Sequence, residues 1–388
     1  MVRPRAGHNR TPVKSSLGAE DIVQWAESHQ HSGNCAGETQ NAPDLAMHPC
    51  AITLSPTRQH AALPGVRIGI LDRCEKMNQD KRYARESLQT LQCPVILLSP
   101  WYSGATLLTL LLDAQPQIVT NGEAFPFSSS DPEYQCSCGQ ALSSCDFYSF
   151  AASGMRVGDD FSPDLFRREP RIGGFSLFRW LATTPRLSGN WRVSVSQFWP
   201  PFREAVLPFL AAHHEFMRRA ISYSGATIYV DGTKSLARAD LFLGHFGGPK
   251  RLLLLIKDCR EYCASVLRIQ KRPKGAVAEI AREWLFYIRS AERLANRYPE
   301  SELRLVKYEE LCENPDQVLH DLTKWFGVRY LDYRSLSYGQ SHVLGNKMRK
   351  DFDGNIENRR RWEWFLDADS KQKILNVAGP KLISLGYL

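Results

Sequence analysis

The stretch CPVILLSPWYSGATLLTLLLDAQP, Cys93–Pro116, decides how this chain is read. Val95–Leu98 is an unbroken apolar run of strand length. Ser99–Gly104 follows as a tight polar turn, and a helix opens at Ala105 that must stop before Pro116. A strand that enters a small-residue turn and then a helix leaves the first helical amides without partners. Together with the helix dipole they form an anion site. Ser103 and Thr106 add hydroxyl donors, and Gly104 lets a phosphate or sulfate come close to the backbone. No Gly-x-x-x-x-Gly-Lys-Ser/Thr pattern is present here, which disfavours an ordinary P-loop nucleotidase. A plain strand-to-helix turn is the other reading these residues allow.

Further strand-like runs lie at Ala226–Val230, Arg251–Ile256 and Leu303–Val306, each apolar and followed by polar residues, as for strands buried on both faces. Helical patterns separate them. Ile280, Trp284, Ile288, Ala291 and Ala295 recur at helical spacing. Asn314-Pro315 caps a second helix with an apolar face of Val318, Leu319, Leu322 and Phe326, closed by Gly327. Strands alternating with helices predict an α/β fold, a three-layer αβα sandwich with a mainly parallel sheet. Ligands of such sheets sit at the C-terminal ends of the strands.

The chain has 388 residues, 43% of them hydrophobic, enough for a substantial core. Residues 1–65 are rich in Gly, Pro, Ser, Thr, Asn and His, with one modest helical candidate at Ala19–Ser28, and read as a loosely ordered extension. Residues 66–388 read as one α/β domain, with a charged stretch Asp72–Gln89 leading into a core that starts near Cys93. No apolar run approaches the roughly 18–20 residues of a membrane span, and the basic start lacks the apolar segment of a secretory signal. A soluble, cytoplasmic protein is the expectation. The net charge of +8 suits an anionic ligand as well as an ordinary solvated surface. The ten cysteines are scattered and read as reduced thiols. Cys136, Cys138 and Cys145 stand close together, but no fourth ligand is near in sequence and His213 is the next histidine. A structural turn or a redox-labile pair is therefore expected ahead of zinc.

Polar groups mark the strand ends. Besides the Ser103–Thr106 turn there are Asp231-Gly-Thr-Lys234-Ser235 after Val230, Lys257-Asp258 and Arg260 after Ile256, and Lys307-Tyr308-Glu309-Glu310 after Val306. His342-Val-Leu-Gly345-Asn346-Lys347-Met-Arg349 follows nearer the C-terminus. Several cations and hydroxyls converging on an amide-rich turn suit a ligand with more than one anionic group.

From Cys93 to Leu388 these motifs, in this order, resemble the sulfotransferases that use 3′-phosphoadenosine 5′-phosphosulfate (PAPS). Ser103-Gly104-Ala105-Thr106 followed by Leu-Leu is similar to the family's 5′-phosphosulfate loop. Lys257 and Ser265, eight residues apart, match the spacing of the family's arginine and serine that grip the 3′-phosphate. The Cys-x-Cys-Gly…Cys segment, Val-Asp-x-x-Lys-Ser and Lys-Tyr-Glu-Glu-Leu…Asn-Pro resemble segments of microbial members, and Gly345-Asn346-x-Met-Arg349 their C-terminal cofactor segment, with Lys347 and Arg349 as ligand candidates. The resemblance implies sulfuryl transfer from PAPS to a hydroxyl of a sugar or small molecule, with no metal required. Glu123 lies where the family often has a carboxylate base, in Asn-Gly-Glu-Ala-Phe-Pro beside Phe125 and Phe127. His342 is a second, weaker base candidate.

One residue departs from the pattern. The family usually has Lys or Arg just before the Ser-Gly of the loop, and this chain has Tyr102, with no Lys or Arg between Glu86 and Met155. A neutral phenol donates one hydrogen bond but no charge. Losing one transition-state donor costs about 3–4 kcal/mol, roughly 10²–10³ in rate. Either Lys234, at a neighbouring strand end, substitutes for the missing cation, or the chain is a slow or inactive nucleotide-binding protein of the same fold. A phosphoryl-transfer enzyme using ATP is a more distant reading. The basic cluster Lys347–Arg361 is interleaved with acids and reads as a mixed surface, not a nucleic-acid patch. Phe175, Phe178, Trp180, Trp191, Phe198 and Trp199 read as core or as an acceptor platform.

Overall fold

In the computed structural model the described residues are 93–123, 134–153, 156–157, 160–161 and 200–388. The N-terminal extension with its Ala19–Ser28 helix, the Asp72–Gln89 stretch, Phe125 and Phe127, and the aromatics between Phe175 and Trp199 lie outside them.

The chain runs through β1 (Val95–Leu98), α1 (Ala105–Asp113), β2 (Ile118–Thr120) and α2 (Asp146–Ser153). A short hairpin, β3 (Arg156–Val157) and β4 (Asp160–Phe161), precedes α3 (Pro200–Ser224), β5 (Ile228–Asp231), α4 (Leu236–His245), β6 (Lys250–Ile256) and α5 (Cys259–Ile269). The remainder is α6 (Val277–Arg297), β7 (Ser301–Lys307), α7 (Tyr308–Glu313), α8 (Pro315–Phe326), α9 (Met348–Asp351), α10 (Trp362–Phe365) and α11 (Ala368–Ser384).

Five strands form one parallel sheet in the order β2-β5-β1-β6-β7. Val95 pairs with Val230 on one side and Arg251 on the other, and the β6–β7 register runs from Lys250–Ser301 to Ile256–Lys307. Strand alternation splits the apolar residues between two cores. Ile96, Leu98, Leu252, Leu254 and Ile256 face the layer that holds Trp284, Phe216 and Phe242. Val95, Leu97, Val230, Leu253 and Leu255 face the layer of Leu108, Leu111, Leu319 and Phe326. The architecture is the expected three-layer αβα sandwich.

The helix α6 buries Ile280, Trp284, Ile288, Ala291 and Ala295 as its period predicts. Pro315 opens α8, and Gly327, at φ 77°, ends it by donating to Lys324 O while Val328 N donates to Thr323 O. Three details differ from the sequence reading. β2 was not foreseen, because Ile118-Val119-Thr120 is too short to show a period. β5 starts two residues later and ends on Asp231. β7 is an edge strand with Leu303 and Leu305 exposed, not a strand buried on both faces. Among the described residues no helix is long and apolar enough to cross a membrane.

From β1 the chain goes to the edge strand β2, returns to β5 beside β1, and then crosses over to β6 and β7. The order therefore reverses at β1, and in sheets of this kind ligands bind beyond the strand ends at such a point. Asp231, at the end of the adjacent β5, is locked by Arg238, which reaches it at 2.6 Å with both side chains almost fully buried. The guanidinium also packs on Phe242 and Phe209 and donates to His213 Nε2 at 2.9 Å. Removing one partner of such a pair leaves a bare buried charge. Arg238→Ala should lower the unfolding free energy by about 3–5 kcal/mol in a denaturant titration; a loss below about 1 kcal/mol, typical of a surface pair, would contradict this role.

Candidate functional site

The β1–α1 turn has the geometry its composition implies. Gly104 caps α1 at φ 95° without a side-chain cap, and the first helical bond runs from Leu108 N to Gly104 O at 3.1 Å. The amides of Ala105, Thr106 and Leu107 thus have no acceptor within the helix. Tyr102, with φ 66°, is also left-handed, a conformation that costs a residue with a side chain about 1–3 kcal/mol. The Ser103 hydroxyl oxygen is buried without a hydrogen-bond partner among the described residues. A buried hydroxyl left unpaired costs about 1–3 kcal/mol, which an anion at the turn would recover.

Tyr308, the first residue of α7, closes the turn from the side. A methyl group on Gly104 would lie 2.3 Å from its Cδ2, so only glycine permits the contact. The same ring carries the Lys257 ammonium on its face, with Nζ 3.9 Å from the centroid. Burial pushes the Tyr308 hydroxyl up, so the ring is a neutral phenol. Lys257 is 6% exposed, and its ammonium has no ion pair or hydrogen bond among the described residues. Burial pushes its pKa below the ordinary lysine value, against weaker attraction from Glu261 and Glu309. A cation–π contact offsets about 2 kcal/mol, less than the several kcal/mol needed to desolvate an ammonium. The deficit is what an incoming anion would make good. Ser265 is buried in the second turn of α5. Neighbouring Arg260 differs from Lys257, since Asp258 holds it in a bidentate pair and it lies over Trp362.

Glu123 and Lys234, far apart in sequence, meet here. Lys234 Nζ donates to Glu123 Oε1 at 2.5 Å, with the side chains 6% and 16% exposed. The ammonium also lies 5.3 Å from the Trp101 ring, which belongs to the anion turn. Lys234 has φ 63°, a left-handed backbone in the turn after β5. Tyr287 from α6 ties the two strand ends together, accepting from Ser99 N at 3.0 Å and donating to Lys234 O at 2.7 Å. Tyr102 turns the other way, its hydroxyl accepting from Gln270 Nε2 at 3.4 Å at the end of α5.

The C-terminal segment lies over the opposite wall. Leu344 pairs with the residues before Glu123, donating to Asn121 O and accepting from Glu123 N. Gly345 packs on Thr106 so closely that a Cβ would fall 2.7 Å from its hydroxyl, and Asn346 N donates to that hydroxyl at 3.4 Å. Arg349 directs four of its five donors to the carbonyls of Gln135, Gly345 and Asn346 and stacks on Tyr134. It shapes the segment more than it offers charge. Lys347 is exposed at the start of α9.

His342 lies apart from the Glu123–Lys234 pair, against Cys136 and Cys145. The fourth ligand-type side chain near the three cysteines is thus His342, not His213, which is bound to Arg238. Sequence reasoning also passed over Tyr287, Gln270 and Trp101, whose roles depend on contacts across the sheet. A tyrosine on the apolar side of α6 was the only local sign of the first.

No family model matches the sequence, and no curated protein does. Among solved structures the chain is similar to the sulfotransferase domain from the curacin biosynthetic pathway, at 13% identity and TM-score 0.40 over 74% of this chain and 97% of that one. It is similar to the sulfotransferase domain of the Synechococcus PCC 7002 olefin synthase at 16% identity and TM-score 0.38, over 74% and 95%. A sulfotransferase from Mycobacterium avium aligns at 12% identity and TM-score 0.40 over 80% of each chain.

The buried Glu123–Lys234 pair should be energetically coupled. In a double-mutant cycle with Glu123→Gln and Lys234→Met, denaturant titration should give an interaction of about 1.5–3 kcal/mol. Additive effects would mean that the two side chains do not meet in solution.

Proposed function

We propose that this chain transfers the sulfuryl group of PAPS to a hydroxyl of a sugar or small-molecule acceptor. The carrying observation is the buried Lys257 ammonium, without an acid partner among the described residues, sharing the Tyr308 ring with the glycine of an amide-rich turn. Two cation sites beside one turn suit a nucleotide charged at both ends. In this reading Ser103, Gly104, Ala105 and Thr106 take the 5′-phosphosulfate through backbone amides and hydroxyls. Lys257 and Ser265 take the 3′-phosphate. Lys347 faces solvent at the mouth and adds a loose charge, while Arg349 positions Gly345 against Thr106.

The chemistry follows from the Glu123–Lys234 pair. The acceptor O–H gives its proton to Glu123, whose Oε2 has no hydrogen-bond partner among the described residues. The acceptor oxygen bonds to sulfur in line with the breaking bond between sulfur and the phosphate oxygen, and adenosine 3′,5′-bisphosphate leaves. Lys234 stabilises the charge that develops on the leaving oxygen, in place of the cation absent at Tyr102. Excess negative charge is absorbed by lysine and amides, so the residues present suffice without a metal. The rival reading, a binding protein without turnover, draws on Tyr102, whose hydroxyl is directed at Gln270.

Calorimetry with adenosine 3′,5′-bisphosphate and a labelled-sulfate transfer assay test the two together. Saturable binding with transfer supports the enzyme, binding without transfer supports the rival, and no binding at millimolar nucleotide removes both. Lys234→Ala should lower transfer by roughly 10²–10³; unchanged turnover, together with a gain from Tyr102→Arg, would show that Lys234 does not replace the missing cation.

Lys257 gives a sharper test. Lys257→Met should weaken nucleotide binding about 10–100-fold while leaving the free protein at least as stable, because a desolvated charge is removed. The pH dependence follows from the same burial. The ammonium is fully charged below its lowered pKa and loses its proton as pH rises through it. Nucleotide affinity should therefore fall in the alkaline range below the ordinary lysine value, and Lys257→Arg should abolish that fall.

A further inference from the structure

We infer that Cys136, Cys138, Cys145 and His342 form a closed structural zinc site that clamps the C-terminal segment onto the wall of the candidate active site. Their four ligand atoms all lie within 4.8 Å of one another. The measured edges are 3.7 Å from Cys138 Sγ to Cys145 Sγ, 3.7 Å from Cys136 Sγ to His342 Nδ1 and 3.3 Å from Cys145 Sγ to His342 Nδ1. Zinc bonds of about 2.3 Å to sulfur and 2.0–2.1 Å to nitrogen, at tetrahedral angles, give edges of about 3.8 Å and about 3.6 Å. Three of the six edges thus lie close to those of a zinc tetrahedron, and the other three are no longer than 4.8 Å. The thiols are free, and a separation of 3.7 Å is far from the roughly 2.05 Å of a disulfide.

The local fold aims each ligand. Gln135 and Ala141 pair across a tight turn, in which Cys136 N donates to Gln140 O and Gly139 N to Cys136 O. Gly139, at φ 87°, reverses the chain there. Cys145 stands immediately before α2. The His342 ring is stacked on Phe147, with centroids 4.7 Å apart and planes within 5°, which fixes the direction of Nδ1. Both backbone flanks of the histidine are fastened as well. Ser137 Oγ donates to Ser341 O and accepts from Val343 N, and the Tyr148 hydroxyl donates to His342 O.

Three thiolates and one imidazole in tetrahedral array select zinc among common divalent ions. Four protein ligands leave no position for water or substrate, so the site is structural. It joins segments 197 residues apart, from Cys145 to His342. Two residues past His342, Leu344 pairs with the Asn121–Glu123 strand end, and Gly345 packs on Thr106. An ion here would hold the Glu123 wall and the anion turn in register.

The test is metal content, which does not depend on nucleotide binding or turnover. The full chain is purified from cells grown with added zinc, dialysed, and measured by mass spectrometry of its metals. About one zinc per chain is expected, released to a chromogenic chelator as the thiols are blocked with an organomercurial. Cobalt in its place should give the visible absorption of a tetrahedral thiolate complex. Cys138→Ser and His342→Ala should each lose most of the zinc, whereas Cys263→Ala, a buried cysteine elsewhere, should keep it. Metal-free wild-type protein with three titratable thiols in the cluster would overturn the site. So would zinc retained by both ligand variants, or stoichiometric iron in its place.

Discussion

One phenol ring governs the candidate site. Tyr308 presses an edge against Gly104 and offers its face to Lys257, so the anion turn and the buried ammonium are set by the same side chain. A lysine so placed is poorly compensated, because a neutral ring returns less energy than desolvation removes. The protein tolerates that deficit at the switch point of its sheet, where ligands of this architecture bind. The orphan hydroxyl of Ser103 and the left-handed backbones of Tyr102 and Lys234 lie just past the ends of the adjacent strands β1 and β5. Strain and unsatisfied polarity gathered in one place are the expected marks of a site whose stability is completed by its ligand.

The other half of the site is assembled from three separate segments. The end of β2 carries Glu123, the turn after β5 carries Lys234, and Tyr287 of α6 ties the Lys234 turn to the end of β1. A buried ion pair of this kind holds a base and a cation in fixed relation, which suits a reaction needing proton removal at the acceptor and charge stabilisation at the leaving group. In the proposed reaction the same pair supplies the charge that the neutral Tyr102 does not. Charge can arrive from a neighbouring strand end when the turn itself lacks it.

The cysteine–histidine cluster adds a second order of control. Its ligands touch neither Lys257 nor Lys234, yet the segment that follows His342 supplies the backbone partner of Glu123 and the packing partner of Thr106. Four convergent donors on two distant segments act as a cross-link, which restricts the open ensemble in the way that any long-loop closure does. A metal in this position acts through geometry, holding the Glu123 strand end against the segment after His342.

Much of this was legible in the chain itself. The β1 run, the helix opening at Ala105, the α6 period and the Asn314–Gly327 caps are local signals, and each element appears where its residues place it. The candidate polar residues could likewise be picked out, since they follow apolar strands and strand ends carry ligands in parallel sheets. Short β2 escaped because three residues carry no period, and edge exposure of β7 escaped because burial depends on neighbours. What only tertiary structure decided is pairing: Lys234 with Glu123, Lys257 with the Tyr308 ring rather than an acid, Arg349 with carbonyls, and His342 with three cysteines. Local sequence dictates backbone conformation through sterics and hydrophobic period, whereas contacts between residues on different strand ends and helices arise only when the sheet order brings their segments together.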